Sequence, residues 1–141
     1  MESQAHFLAR GAMRLFAELG HVSVAEFMLP SGCRADVAAL GRDGEFSIIE
    51  IKCSVVDFKA DEKWPEYLAW CDRFFFAVPD EFPQELLPAD HGLIVADGHD
   101  GDILRPAETR KLNANRRRSL TLRYTRHAAT RLRSLNDPDA G

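Results

Sequence analysis

Cysteine is scarce in this sequence, which has three cysteines among 141 residues, none of them in a C-x-x-C pair. The odd number argues against a framework of disulfides, and the spacing argues against a zinc ribbon. Cys33, Cys53 and Cys71 are therefore expected to be small core residues of a protein that works in a reducing compartment.

Long apolar runs are also missing. The longest, such as residues 74–78, are far too short to cross a bilayer, and the first residues do not form a basic-then-apolar leader. Glycine-rich phosphate loops are absent, so ATP is not implied, and no serine or cysteine stands in the sequence setting of a catalytic nucleophile. We expect a cytoplasmic protein that does not bind a membrane.

The length allows one domain. A chain of 141 residues buries roughly two thirds of its unfolded surface without disulfides, and no internal repeat or low-complexity linker divides it. We predict a single domain over residues 1–135 and a flexible tail over residues 136–141.

Charge is distributed unevenly along the chain. Residues 1–104 carry 8 Lys and Arg against 19 Asp and Glu, whereas residues 105–133 carry 10 Lys and Arg against one acidic residue. Such a segment is often only a solvated surface, but it is also the pattern of a segment that binds a polyanion. Its densest part contains Arg110, Lys111, Arg116, Arg117 and Arg118.

Hydrophobic periodicity and turn signals predict the order of elements. A helix over residues 3–19 is followed by three strands in succession, a loop with a helix over residues 57–71, and a buried strand. The strands are predicted at residues 22–28, 34–40, 46–54, 73–78 and 91–96, with a short edge strand at 101–104. Residues 113–135 form an amphipathic basic helix, and Pro65 is expected in a first helical turn rather than mid-helix.

Two charged residues interrupt the apolar third strand. Side chains alternate across a strand, so Glu50 and Lys52 point to the same side. Burying these charges is costly unless they are paired or bind a ligand. The two can form an ordinary pair on a strand, or they can be part of a metal site, to which Asp36 on the second strand would add a carboxylate.

The order of elements, with D…E-x-K across strands two and three, resembles the PD-(D/E)xK nuclease superfamily. The resemblance implies an α/β, restriction-endonuclease-like core: a central mixed sheet flanked by helices in the order αβββαβ, with a C-terminal basic helix. It also implies that Asp36 and Glu50 bind Mg²⁺, with Mn²⁺ as an alternative, and that Lys52 activates the attacking water and stabilises phosphate charge. Mg²⁺ suits such a site because it takes only one or two carboxylates and keeps several waters.

Three further residues follow from this resemblance. In the RecB-like branch, a Gln-x-x-x-Tyr motif on the next helix orients the site, and Lys63 and Tyr67 have that spacing, with Lys in place of Gln. A lysine cannot accept a hydrogen bond as glutamine does. Glu18, near the end of the first helix, is either an additional acidic metal ligand or a solvated glutamate.

Three aspartates lie close to the candidate site in the sequence. We interpret them as caps of the helix or of its loop; they are Asp57, Asp61 and Asp72.

More specifically, the chain resembles the MmcB-like DNA-repair family over residues 3–125. The motifs that carry this resemblance are RADV at 34–37, IEIKCS at 49–54, D-x-K-W-x-x-Y at 61–67 and CDRFFFAV at 71–78. The resemblance implies a role in DNA repair or in mutagenesis after DNA damage.

The sequence thus predicts a Mg²⁺-dependent DNA endonuclease or exonuclease whose basic segment holds the phosphate backbone. The alternative is a non-catalytic DNA-binding or adaptor module that keeps the nuclease fold and serves a DNA-damage-response complex. DNA is the expected partner in both cases, with other DNA-repair proteins in the second. The oligomeric state, a homodimer included, is left open by the sequence.

Overall fold

The computed structural model describes residues 3–140 and contains one six-stranded mixed sheet with the strands in chain order. The strands are β1 (Val22–Met28), β2 (Arg34–Leu40), β3 (Phe46–Ile51), β4 (Arg73–Val78), β5 (Gly92–Ala96) and β6 (Gly101–Arg105). β1, β2 and β3 form an antiparallel meander, β3, β4 and β5 are parallel, and β6 is antiparallel to β5. The predicted mixed sheet and the order of the strands along the chain are confirmed, including the short edge strand.

Helix α1 (Gln4–Glu18) covers one face of the sheet. Ser3 caps it by accepting a hydrogen bond from the His6 amide. Its apolar stripe packs against the side chains that β2–β5 direct to this face, and the residues that α1 contributes are Leu8, Ala12, Leu15 and Phe16. The predicted first helix is therefore confirmed.

The other face is covered by two helical segments. Helix α3 (Ala114–Asn136) is capped by Asn113 and buries Leu120 and Tyr124. A 3₁₀ helix (Trp64–Trp70) lies beside it and buries Tyr67. The larger core of the protein forms between these segments and the sheet.

The loop and helix predicted over residues 57–71 are present, although the helix is a 3₁₀ helix and a further short helix precedes the loop. The structure has a short helix α2 (Val55–Ala60) and then the separate 3₁₀ helix (Trp64–Trp70). β3 also ends at Ile51 rather than at residue 54, because the Ser54 hydroxyl accepts a hydrogen bond from the Asp57 amide and begins α2. Pro65 lies in the first turn of the 3₁₀ helix, as expected.

The edge strand β1 contains an irregularity at Glu26. This residue has a positive φ of 55° and is skipped in the register, which pairs Ala25 with Val37 and Phe27 with Ala35. The Arg131 side chain of α3 donates a hydrogen bond to the Glu26 carbonyl at 3.1 Å. The long helix is thus fixed to the edge of the sheet.

Helix α3 extends to Asn136, and a 3₁₀ turn (Pro138–Ala140) follows it. The flexible tail at 136–141 stays a prediction, and Gly141 lies outside the described residues. Within the described residues, no helix is long and apolar enough to cross a membrane.

Candidate active site

Asp36 and Glu50 face each other where the pairing of β2 and β3 ends. The last residues paired between the two strands are Val37 and Ile49, so the backbone amides of Asp36 and Ile51 have no carbonyl partner across these two strands. The side chains supply them: the Ile51 amide donates to Asp36 Oδ2 at 2.8 Å, and the Asp36 amide donates to Glu50 Oε1 at 3.2 Å. The adjacency of strands two and three brings the two predicted carboxylates together.

Burial makes the ionised forms of both carboxyl groups unfavourable. Glu50 is 4% exposed, and this burial, together with the neighbouring Asp36 carboxylate, raises the pKa of Glu50 to about 8. Burial also raises the pKa of Asp36, although the Ile51 amide and the Lys52 charge oppose the rise. In the absence of another cation, the pair therefore tends to hold a proton near neutral pH.

Lys52 lies on the same side of β3 as Glu50, as the alternation predicted. Its side chain is buried, and its ammonium Nζ lies 4.0 Å from Glu50 Oε2 but only 2.6 Å from Asp61 Oδ2. The principal partner of the buried lysine is thus a carboxylate that follows α2. Asp61 also caps the 3₁₀ helix as expected, but its contact with Lys52 has no signal in the sequence.

The two residues predicted from the Gln-x-x-x-Tyr spacing have different surroundings. Tyr67 is buried and donates a hydrogen bond to the Arg34 carbonyl at 2.9 Å. Burial, together with the charges of Glu50 and Asp36, raises the pKa of the Tyr67 hydroxyl. Lys63 is exposed and precedes the 3₁₀ helix. Tyr67 therefore supports the strand that carries Asp36, whereas Lys63 lies outside the buried pair.

Glu18 is not brought to the carboxylate pair. It is exposed at the end of α1, from which the chain turns into Val22. Val22 pairs with Leu40, the last residue of β2, whereas Asp36 lies near the other end of that strand. The exposed position of Glu18 agrees with the alternative of a solvated glutamate, and its role as an additional ligand stays a prediction.

The basic residues of the predicted DNA-binding segment fall into two groups. Arg110, Lys111 and Arg118 are exposed cations. Arg116 is exposed too, but its guanidinium lies over the Trp70 ring at 4.8 Å and donates to the Ala69 carbonyl. Arg117 is bound to the buried Asp72. Arg110 also pairs with Glu108 at 3.5 Å on the surface, so Lys111 and Arg118 are the residues of this segment that offer their positive charge to a ligand most readily.

A cleft of about 620 Å³ lies beside the start of α3, and its lining includes Lys111, Arg117 and Arg118. Asp43 and Glu45 also line it, so the cleft carries charges of both signs. It lies near Arg73, at the start of β4. Because β3 and β4 are parallel and Glu50 lies near the end of β3, the cleft and the carboxylate pair are at opposite ends of these strands.

Trp64 and Trp70 are large aromatic side chains of the kind that can stack on bases. Trp64 instead stacks on Phe74, with ring centroids 5.6 Å apart, and contacts Phe76 edge-on. Trp64 therefore packs against the sheet. Trp70, which is half-buried, carries Arg116 on its face.

The donor set of the pair is suited to a hard divalent cation. Two carboxyl groups in contact would be neutralised by such an ion, and Mg²⁺ accepts a site with only one or two protein carboxylates because it keeps several waters. The part of the chain that the structure describes contains no group of three or more His, Cys, Asp or Glu side chains arranged to hold a metal. A cation here would therefore rely on Asp36 and Glu50 as its protein ligands.

Comparisons relate the whole chain to known proteins. A family model described as DNA repair protein MmcB-like matches residues 1–139. A solved structure of a protein of unknown function from Silicibacter pomeroyi is 48% identical in sequence, covers 99% of this chain and 96% of its own, and superposes with a TM-score of 0.96. A search of curated proteins finds no match. The family match includes every site residue named above.

Proposed function

The chain belongs to the MmcB-like family of DNA repair proteins, and from this premise we propose that it is a Mg²⁺-dependent nuclease that hydrolyses phosphodiester bonds in DNA. The observation that carries the proposal is the buried pair of Asp36 and Glu50 with Lys52 beside it. Two neighbouring acidic groups and one lysine are a costly arrangement for a core, and a metal-assisted phosphoryl reaction gives each of them a role.

Asp36 and Glu50 would hold the cation in this proposal. A bound Mg²⁺ would supply a coordinated water of lowered pKa and a clamp on the phosphate oxygens. Lys52 would place a fixed positive charge beside the phosphate as negative charge develops on it. Tyr67 would contribute indirectly, because its hydroxyl holds the backbone of β2 two residues before Asp36.

The proposal includes the PD-(D/E)xK superfamily as the origin of this site. It is supported by the order of a helix, three antiparallel strands and a fourth parallel strand, and by the position of the E-x-K residues at the end of β3. The exposed cations Arg110, Lys111 and Arg118 would bind the phosphate backbone without reading the base sequence.

Two observations favour the second candidate, a DNA-binding adaptor that keeps the fold without the reaction. Lys52 is neutralised by Asp61 at 2.6 Å, and the lysine that occupies the glutamine position of the related motif, Lys63, is exposed. An adaptor would use the basic surface and leave the carboxylate pair without a chemical task.

The test is cleavage of labelled single-stranded, duplex and branched DNA with Mg²⁺, with Mn²⁺ or with EDTA. The parent is compared with a variant that combines Asp36→Ala and Glu50→Ala and is confirmed to be folded by circular dichroism. Metal-dependent cleavage that the variant loses supports the nuclease. DNA binding by both proteins, without cleavage of any substrate by the parent, would replace it with the adaptor.

A further inference from the structure

Lys52 has two acidic neighbours, and they bind it unequally. Its Nζ lies 2.6 Å from Asp61 Oδ2 and 4.0 Å from Glu50 Oε2. Because the attraction between charges falls with distance, the contact with Asp61 is about one and a half times as strong at equal screening. Charge-assisted hydrogen bonds are also strongest at such short distances, so the ammonium is directed to Asp61.

Asp61 is itself held in place by the backbone. Its Oδ1 accepts hydrogen bonds from the Lys63 amide at 2.8 Å and from the Trp64 amide at 3.1 Å. Its own amide donates to the Phe58 carbonyl at the end of α2. One carboxylate oxygen therefore fixes the start of the 3₁₀ helix while the other fixes the lysine.

The 3₁₀ helix that Asp61 caps is anchored in the core. The Trp64 ring packs on Phe74 and Phe76, and Tyr67 is buried below the helix. Asp61 is thus a fixed point rather than a mobile surface group, and the position of the lysine ammonium is set by the core through it.

Without Asp61, the nearest acidic partner of the ammonium is Glu50. Lys52 is 5% exposed, so bulk water cannot solvate its ammonium group. In the absence of Asp61, the ammonium would therefore turn toward Glu50. There it would compete directly with a cation for the carboxylates, since both would neutralise the same charge.

We propose that Asp61 is a positioning residue that holds the Lys52 ammonium away from the pair formed by Asp36 and Glu50, so that these carboxylates remain available to a divalent cation. The inference rests on the proposed metal site and adds a fourth residue to it. Asp61 contacts neither the cation nor the DNA in this role; it acts only through Lys52.

The experiment measures Mn²⁺ binding by the full chain, from the electron paramagnetic resonance signal of the free ion, in four proteins. They are the parent, Asp61→Asn, Lys52→Met and the double variant. Asparagine keeps an oxygen for the amides of Lys63 and Trp64, so the 3₁₀ helix retains its cap. Removing the negative charge of Asp61 weakens cation binding whether or not Lys52 is present. The role of the lysine is therefore measured by how much larger the loss of Mn²⁺ affinity is with Lys52 than in the Lys52→Met background.

We expect Asp61→Asn to weaken Mn²⁺ binding at least about tenfold when Lys52 is present and less than about threefold in the Lys52→Met background. Asp57→Asn is the matched control: Asp57 lies near the site but accepts its hydrogen bond from the Cys53 amide, so its effect is expected to be equal in both backgrounds.

The outcomes separate the two proposals. Equal losses from Asp61→Asn in both backgrounds, with clear binding by the parent, would overturn the positioning role and leave the metal site intact. Failure of the parent to bind Mn²⁺ at all would overturn the metal site itself and the role of Asp61 with it.

Discussion

The carboxylate of Asp72 accepts two hydrogen bonds from the guanidinium of Arg117, at 2.5 Å and 3.0 Å. The same carboxylate accepts the amides of Phe46 and Leu112, and Arg117 also donates to the Gly44 carbonyl. This pair connects the start of β3, the start of β4 and the first turns of α3. It joins the basic helix to the sheet that carries the carboxylate pair.

Asp72→Asn is expected to destabilise the protein by about 1.5–3 kcal/mol, because the buried Asp72 carboxylate accepts charge-assisted hydrogen bonds from Arg117, whose 27% exposed side chain can be partly solvated once the counter-ion is lost. Urea unfolding followed by circular dichroism measures the change. Removing both charges with Asp72→Asn and Arg117→Met is expected to cost less than the sum of the two single changes. Additive costs would show that the pair is not coupled.

For the proposed nuclease, Lys52→Met is expected to reduce DNA cleavage about 100-fold or more, since it would remove the cation proposed to stabilise the developing phosphate charge, while the fold and the affinity for DNA are kept. Lys59→Met is the matched control, because Lys59 is an exposed lysine on α2. Single-turnover cleavage at saturating protein measures the effect. Equal activity of the two variants would remove Lys52 from the reaction.

The combination of Lys111→Gln and Arg118→Gln is expected to weaken DNA binding and to reduce its dependence on salt, because each phosphate contact contributes roughly 0.9 to the slope of log K against log salt concentration. Fluorescence anisotropy at several salt concentrations measures both quantities. Arg14→Gln serves as the control, since Arg14 lies on α1 across the sheet and bonds to the His99 carbonyl. A slope unchanged by the double change would exclude Lys111 and Arg118 from the DNA contact.

His21 is expected to make stability fall as the pH drops below the ordinary value of a histidine. Burial lowers its pKa, and its Nδ1 has no hydrogen-bond partner in the described part of the chain. Because the unfolded chain then binds the proton more tightly, the contribution of His21 is present above about pH 6.5 and is lost as the pH falls through its folded pKa.

The measurement for His21 compares the free energy of unfolding at pH 7.5 and pH 5.0 in the parent and in His21→Gln. A smaller loss of stability in the variant is the expected result. His127, whose pKa is also lowered by burial, remains in both proteins and supplies a common background. An identical loss in the two proteins would assign the pH dependence to other groups.

The sequence alone predicts most of the elements, because periodicity and turn chemistry are local. The amphipathic stripe of α1 and the alternation in β3 need no tertiary information. The short helix α2 and the 3₁₀ form of the next helix were not predicted, because Asp61 accepts two amides and starts a new 3₁₀ segment at Trp64, and that choice depends on the packing of Trp64 on the sheet.

In the candidate site, too, the sequence predicts what local rules fix and misses the contacts between residues that lie far apart in the chain. Asp36, Glu50 and Lys52 could be grouped because strand alternation and a short hairpin fix their relative positions. The contacts of Lys52 with Asp61 and of Arg117 with Asp72 span 9 and 45 residues of chain. No local rule relates such positions, so an arginine that belonged to a uniform basic run in the sequence is part of the core framework in the fold.

The positive φ of Glu26 affects whether the edge strand β1 can pair with a strand of another molecule. A flat outer strand offers its backbone as a template on which another sheet can grow. In β1 the positive φ of Glu26 breaks the regular spacing, and Arg131 already occupies the Glu26 carbonyl. Extension of the sheet by a strand of another molecule, and with it fibril growth, is therefore disfavoured at this edge.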